Sequence, residues 1–104
     1  MMSTKIVTLI LGVLLMGINL SFAGDIEAGK GLSAKCVGCH GVNGISANPM
    51  MPSLAGKDIA YLKEKMVGYR DGSLVNPIMN GMAGGLSDSD IELLASYYNS
   101  LSGG

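Results

Sequence analysis

Histidine and cysteine are scarce in this chain of 104 residues, which has one histidine, His40, and two cysteines, Cys36 and Cys39. With a single histidine, one chain cannot place two imidazoles on the same metal. Three Cys and His residues are also one short of the four protein ligands of a structural zinc site. Charged residues make up 14% of the chain and no run of lysine or arginine occurs, so nothing points to nucleic acid. No alternating apolar pattern suggests a strand, which removes the strand–helix–strand setting that a thioredoxin-type dithiol needs. Repeats and low-complexity segments are missing as well.

Long apolar runs are limited to one, residues 6–18, preceded by the lone charge of Lys5 and followed by Ser21-Phe22-Ala23. This is the layout of a secretory signal peptide, with small residues at the cleavage positions and the cut expected after Ala23. An uncleaved anchor is the alternative, but the run is shorter than the ~20 apolar residues of a spanning helix. Most of the positive mean hydropathy of the chain comes from this segment. Removing residues 1–23 from 104 leaves a domain of 81 residues, 24–104. Lys5 departs with the segment, so six of the seven basic residues and all eight acidic ones remain, a net charge of −2. The expected product is an exported periplasmic domain, mildly acidic, with no stable membrane insertion after cleavage.

The stretch that organises this domain is Cys36-Val37-Gly38-Cys39-His40. C-x-x-C-H is the attachment signature of a c-type haem. Two thiols one helical turn apart point to the same side and can add to the two vinyl groups of a porphyrin. The histidine that follows falls under the iron as its proximal ligand. Val37 and Gly38 are small enough to let the ring edge approach the backbone. A disulfide would be compatible with export, but it leaves the position of the only histidine unexplained. Haem c is attached outside the cytoplasm, which agrees with the signal peptide. A domain this small has a thin core of its own, and one covalent apolar macrocycle would complete it.

The remaining elements follow from periodicity and breakers. A first helix is predicted from Ile26 to about Val37, with Asp25 as its cap and Ile26, Gly29 and Leu32 on one face. Gly29 and Gly31 each cost about 1 kcal/mol against alanine, and Gly29 on the inner face suits a close helix crossing. Residues 41–56, broken by Gly41, Gly44, Pro49 and Pro52, are predicted to be a loop that wraps the ring on the His40 side. Pro52 and Leu54 are placed to pack there, and a proline carbonyl or a neighbouring backbone oxygen could accept the second His40 ring proton. A second helix runs from 59 to about 70 behind Asp58. Its apolar stripe is Ile59, Leu62, Met66 and Tyr69, and Lys63, Glu64 and Arg70 face outward. Gly72 stops it. Residues 73–86 read as a second loop. Ser87 with Asp90 three residues on opens a third helix, whose inner face carries Ile91, Leu94, Tyr98 and Leu101.

A methionine thioether is the expected sixth ligand of the iron, since it is soft and no second histidine exists. Of the methionines after residue 23, Met66 lies on a core stripe, and Met50 and Met51 follow His40 too closely to reach the opposite face. Met79 and Met82 remain, on a segment that a full helix can carry across. Met79, behind the stiff Pro77-Ile78, is preferred, with Met82 the alternative.

These residues together resemble the small monohaem class I c-type cytochromes of bacteria. The resemblance covers residues 24–104. It rests on Asp25-Ile26-Glu27-Ala28-Gly29-Lys30 leading to Cys36-Val37-Gly38-Cys39-His40-Gly41, then on Pro52-Ser53-Leu54-Ala55-Gly56, Tyr69-Arg70-Asp71-Gly72, Pro77-Ile78-Met79 and Leu86-Ser87-Asp88, ending in Leu94-Ala95-Ser96-Tyr97-Tyr98. It implies an all-α cytochrome c fold, three main helices and two long loops wrapped around one covalent haem. His40 and a methionine of the second loop would be the axial ligands, with Met79 at the matching position. It also implies that the first and last helices cross near Gly29 and Tyr97 or Tyr98.

The expected function is electron transfer by a monomer that meets redox proteins, a donor and an acceptor, in brief contacts. With both axial positions filled, substrate has no access to iron, and no enzymatic activity is expected. A peroxidase-like enzyme would need an open iron position and a distal acid–base group, and the one histidine is already used. A gas-binding module would need a methionine that leaves the iron.

Overall fold

The computed structural model describes residues 25–102, in which every regular element is helical. The signal peptide expected at 1–23, and Gly103 and Gly104 of the tail, lie outside the described residues. Helix α1 spans residues 25–32 and is followed by a 3-10 turn, Ser33–Lys35. Then come α2 (Val37–His40), α3 (Ile59–Asp71), α4 (Pro77–Gly84) and α5 (Asp88–Ser100). The three main helices of the sequence reading are α1, α3 and α5. No helix among the described residues is long and apolar enough to cross a membrane.

The first helix is not continuous to Val37. The buried Ser33 hydroxyl donates back to Lys30 O at 2.7 Å, a local bond that competes with regular helix. The chain tightens there, and Cys36 N–H closes the turn on Ser33 O at 2.8 Å. Asp25 already lies within α1, so it does not cap it. Asp58 does sit at the start of α3, but its side chain makes no capping bond.

Helix α5 supplies most of the core. Ile91, Leu94, Ala95, Tyr97 and Tyr98 are all buried, against Leu62 of α3 and Ala83 and Leu86 of the α4 region. Burying a side chain such as Ile91 or Leu94 is worth about 1.5–3 kcal/mol. The expected capping box opens the helix. Asp90 N–H donates to Ser87 Oγ and Ser87 N–H donates to Asp90 Oδ2, each at 3.0 Å. Gly29 is where α1 crosses α5. A Cβ there would run into Leu93 O and lie 2.7 Å from Tyr97 Cβ, so only glycine allows this approach.

Helix α3 keeps part of its expected stripe. Leu62 is buried and Met66, Val67 and Tyr69 pack against the core, whereas Ile59 is 41% exposed. Arg70 does not simply face outward. It bonds Asp88 at 2.7 Å and Leu86 O at 3.3 Å, tying the end of α3 to the start of α5.

The second loop contains a helix that the sequence reading left out. Helix α4 occupies Pro77–Gly84 in spite of Gly81 and Gly84, each unfavourable by about 1 kcal/mol. Three things outweigh that cost. Pro77 is pre-set at the first helical position. Asn76 Oδ1 accepts from both Ile78 N–H and Met79 N–H at 3.1 Å. Ala83 and Leu86 are buried against the core.

Candidate haem-attachment site

Helix α2 is a single turn. His40 N–H donates to Cys36 O and Gly41 N–H to Val37 O, both at 3.0 Å. Cys39 and His40 stand three and four residues after Cys36, so this turn brings all three toward one face. Gly41 ends it with φ +89°, and a Cβ there would strike the Ile45 carbonyl. A side chain is therefore excluded directly after the histidine.

His40 is 6% exposed. Its Nδ1 donates to Pro52 O at 2.7 Å, because a carbonyl can only accept. That bond fixes the tautomer and leaves the lone pair on Nε2, the nitrogen free for a metal. Of the two acceptors the sequence leaves open, a proline carbonyl or a neighbouring backbone oxygen, the one used is the carbonyl of Pro52. The segment bearing it is anchored in turn. Leu54 N–H and Ala55 N–H donate to Gly44 O at 2.7 and 3.0 Å, Gly56 N–H to Tyr98 O at 2.9 Å, and Ser46 N–H to Ser53 Oγ at 2.9 Å.

Both cysteines carry free thiols, Cys36 half-buried and Cys39 exposed. Burial pushes the Cys36 thiol up, an effect that Tyr98 and then Lys35 partly offset. The Tyr98 hydroxyl lies against Cys36 and Ser33 and is held well above the usual tyrosine range, first by burial and then by Cys36. Its oxygen is fully buried and finds no hydrogen-bond partner among the described residues, which is costly for a polar atom. A locked imidazole, two thiols on one helical turn and an orphaned hydroxyl beside the first of them fit a thioether-linked haem. In such a group the Cys36 sulfur would become an acceptor.

The methionines divide by surroundings. Met66 packs against the core, as its periodicity suggests. Met50 is 83% exposed and Met82 45% exposed. Met51 and Met79 are half-buried. Met79 occupies the first turn of α4 and Met82 the next, so the two preferred candidates stand on one short helix. Sequence reasoning did not find the two asparagines around Met79, Asn76 and Asn80. The Asn76-Pro77 pair, a cap residue before a first-turn proline, was the available signal.

Residues 26–102 match the family described as Cytochrome c. Cytochrome c-554(548) of Halomonas halodenitrificans is 42% identical over 81 residues, covering 75% of this chain and 98% of that protein. Cytochrome c4 of Pseudomonas aeruginosa is 37% identical over 99 residues, covering 95% of this chain and 49% of the relative. The crystal structure of reduced recombinant cytochrome c4 from Pseudomonas stutzeri superposes with a TM-score of 0.71 at 32% identity, covering 77% of this chain and 50% of that one. The chain thus spans nearly the whole of the first relative and about half the length of the cytochrome c4 proteins.

Proposed function

The chain belongs to the cytochrome c family, and we propose that it is a one-electron carrier with a single haem c bound through Cys36 and Cys39. In this reading His40 and Met79 would hold its iron. The haem supplies the one-electron couple when bound. Everything else is done by the chain. Cys36 and Cys39 would hold the group at α2, Pro52 O keeps Nε2 of His40 available, and the segment 77–79 would offer the thioether of Met79. Two fixed ligands keep the coordination the same in both oxidation states, so little rearrangement accompanies electron transfer. No acid–base group is assigned beside the iron, and the protein is not read as an enzyme.

The observation that carries this reading is the bond from His40 Nδ1 to Pro52 O, made by a buried imidazole directly after the two thiols. Such a histidine is prepared as a ligand and not as a proton shuttle. The half-buried position of Met79, against the exposure of Met82, favours Met79 as the sixth ligand. Residues 1–23 are read as a signal peptide cut after Ala23, which would deliver the carrier to the periplasm; it is read there as a monomer that meets a donor and an acceptor protein transiently.

The test is an absorption spectrum of the exported holoprotein, oxidised and reduced, with carbon monoxide added to the reduced form. A covalent c-type spectrum, the weak far-red band of an iron–methionine sulfur bond, and no response to carbon monoxide are expected. Met79→Ala should lose that band and Met82→Ala keep it. Carbon monoxide binding by the parent protein would instead indicate an open site, and with it the enzyme or gas-binding alternative.

A further inference from the structure

Asn80 uses its whole side-chain amide in a single place. Its Nδ2 donates to Tyr69 O, in the last turn of α3, and to Leu74 O, in the turn beyond it, both at 2.8 Å. Its Oδ1 accepts from Asn76 N–H at 2.9 Å. Its own N–H donates to Asn76 O at 2.7 Å. On the other side of Met79, its own N–H donates to Asn76 Oδ1 at 3.1 Å. The backbone of Met79 is therefore gripped from before and after, and the anchor is the C-terminal end of α3. Carbonyls there lack helical partners, and Asn80 satisfies one of them.

We propose that Asn80 is the positioning residue of Met79, fixing the register of α4 so that this thioether and not that of Met82 meets the iron. The inference rests on the reading of Met79 as the sixth ligand. Residues three apart share one helix face, so Met79 and Met82 differ by about one turn of α4. Helix α4 is short and contains Gly81 and Gly84, so its own propensity cannot hold that register. The bonds from Asn80 to two carbonyls outside the helix can. A thioether competes for the iron with any ligand in solution, and its success scales with the fraction of time the backbone holds it in place. Released Asn80 should therefore show as an iron that exchanges its sixth ligand more readily.

The experiment uses the holoprotein with Asn80→Asp, which keeps the acceptor for Asn76 and turns two donors against two carbonyls. Imidazole is titrated into the ferric protein, and the far-red iron–sulfur band is recorded alongside. Imidazole affinity should rise about tenfold or more, the size expected from losing one to two hydrogen bonds, and the band should weaken. Asn99→Asp is the control. Its amide donates to Lys57 O, away from α4, and it should lower the melting temperature without changing imidazole affinity. An Asn80→Asp protein that melts earlier but binds imidazole like the parent overturns the proposal, because Asn80 would then be merely structural. If Asn80→Asp does not accumulate, Asn80→Ser carries the same two outcomes. Met79→Ala separates the layers. If it keeps the far-red band, the ligand reading is wrong. If it loses the band while both Asn80 variants behave as the parent, only the positioning role fails.

Discussion

His40 sits in a stretch held by main-chain hydrogen bonds with a few serine and asparagine side-chain bonds among them, whereas the placement of Met79 depends on the side-chain amides of two asparagines. On the histidine side, Gly41 turns the chain, Gly44 O gathers Leu54 and Ala55, and Pro52 O takes the imidazole proton. Side-chain identity there matters most at the glycines, where a side chain must be absent, with Ser46, Asn48 and Ser53 adding local bonds. On the methionine side the backbone is an ordinary short helix, and its placement depends on what Asn76 and Asn80 reach. The contrast teaches that the two sides fail differently. A side chain added on the histidine side should break the fold locally, while an amide removed on the methionine side should loosen it.

Gly41→Val is the largest expected effect. It forces a β-branched residue to φ +89° and into the Ile45 carbonyl. A loss of about 3–5 kcal/mol in urea unfolding of the holoprotein is expected from the combined strain and overlap. A loss below about 1 kcal/mol would show that this turn is more plastic than its bonds imply.

Tyr98 tests the histidine side through pH. Its hydroxyl is raised above the ordinary tyrosine value by burial, so the folded protein keeps the proton that the unfolded chain gives up near pH ~10. The stabilisation is fully present below that pH and is lost as pH rises beyond it, with a slope of up to about 1.4 kcal/mol per unit. In Tyr98→Phe this slope should vanish from the difference between urea midpoints at moderate and high pH. Equal slopes in the two proteins would mean that Tyr98 ionises as freely in the fold as outside it.

Asn76→Ala is expected to cost about 1 kcal/mol, the usual value of a helix cap, since it strips Ile78 N–H and Met79 N–H of their acceptor. Thermal melting of the holoprotein measures it. A cost as large as that of Gly41→Val would erase the contrast between the sides. Lys63→Ala is the smallest. Its pair with Glu92 joins α3 to α5 at the exposed surface, and such pairs are worth about 0.2–1 kcal/mol. A melting shift of a degree or two, diminishing with salt, is expected.

Much of the histidine side was legible because its information is local. C-x-x-C-H is contiguous, Gly41 follows at once, and a carbonyl for the ring could be sought within a dozen residues. The methionine side was legible only in part. The sequence favours Met79, but Gly81 and Gly84 lower helix propensity and make α4 look like loop. What overrode them was the burial of Ala83 and Leu86 and the reach of Asn80 to Tyr69 and Leu74. Arg70 was placed outward by its charge, and its partners Asp88 and Leu86 lie beyond any helical spacing.

Sequence by itself determined the helical class, the contiguous Cys36, Cys39 and His40 motif on which the proposed attachment rests, the capping box at Ser87 and Asp90, and the close crossing at Gly29. Each of these is written in residues within one or two turns of each other, or in a side chain that is missing. The tertiary structure alone decided that Pro52 O is the acceptor for His40, that α4 is a helix, that Asn80 ties it to α3, and that the Tyr98 hydroxyl is buried beside Cys36 with no partner among the described residues. Those facts depend on which distant groups come within three ångströms of one another, and hydrogen bonds between segments leave no periodicity in the chain to be read.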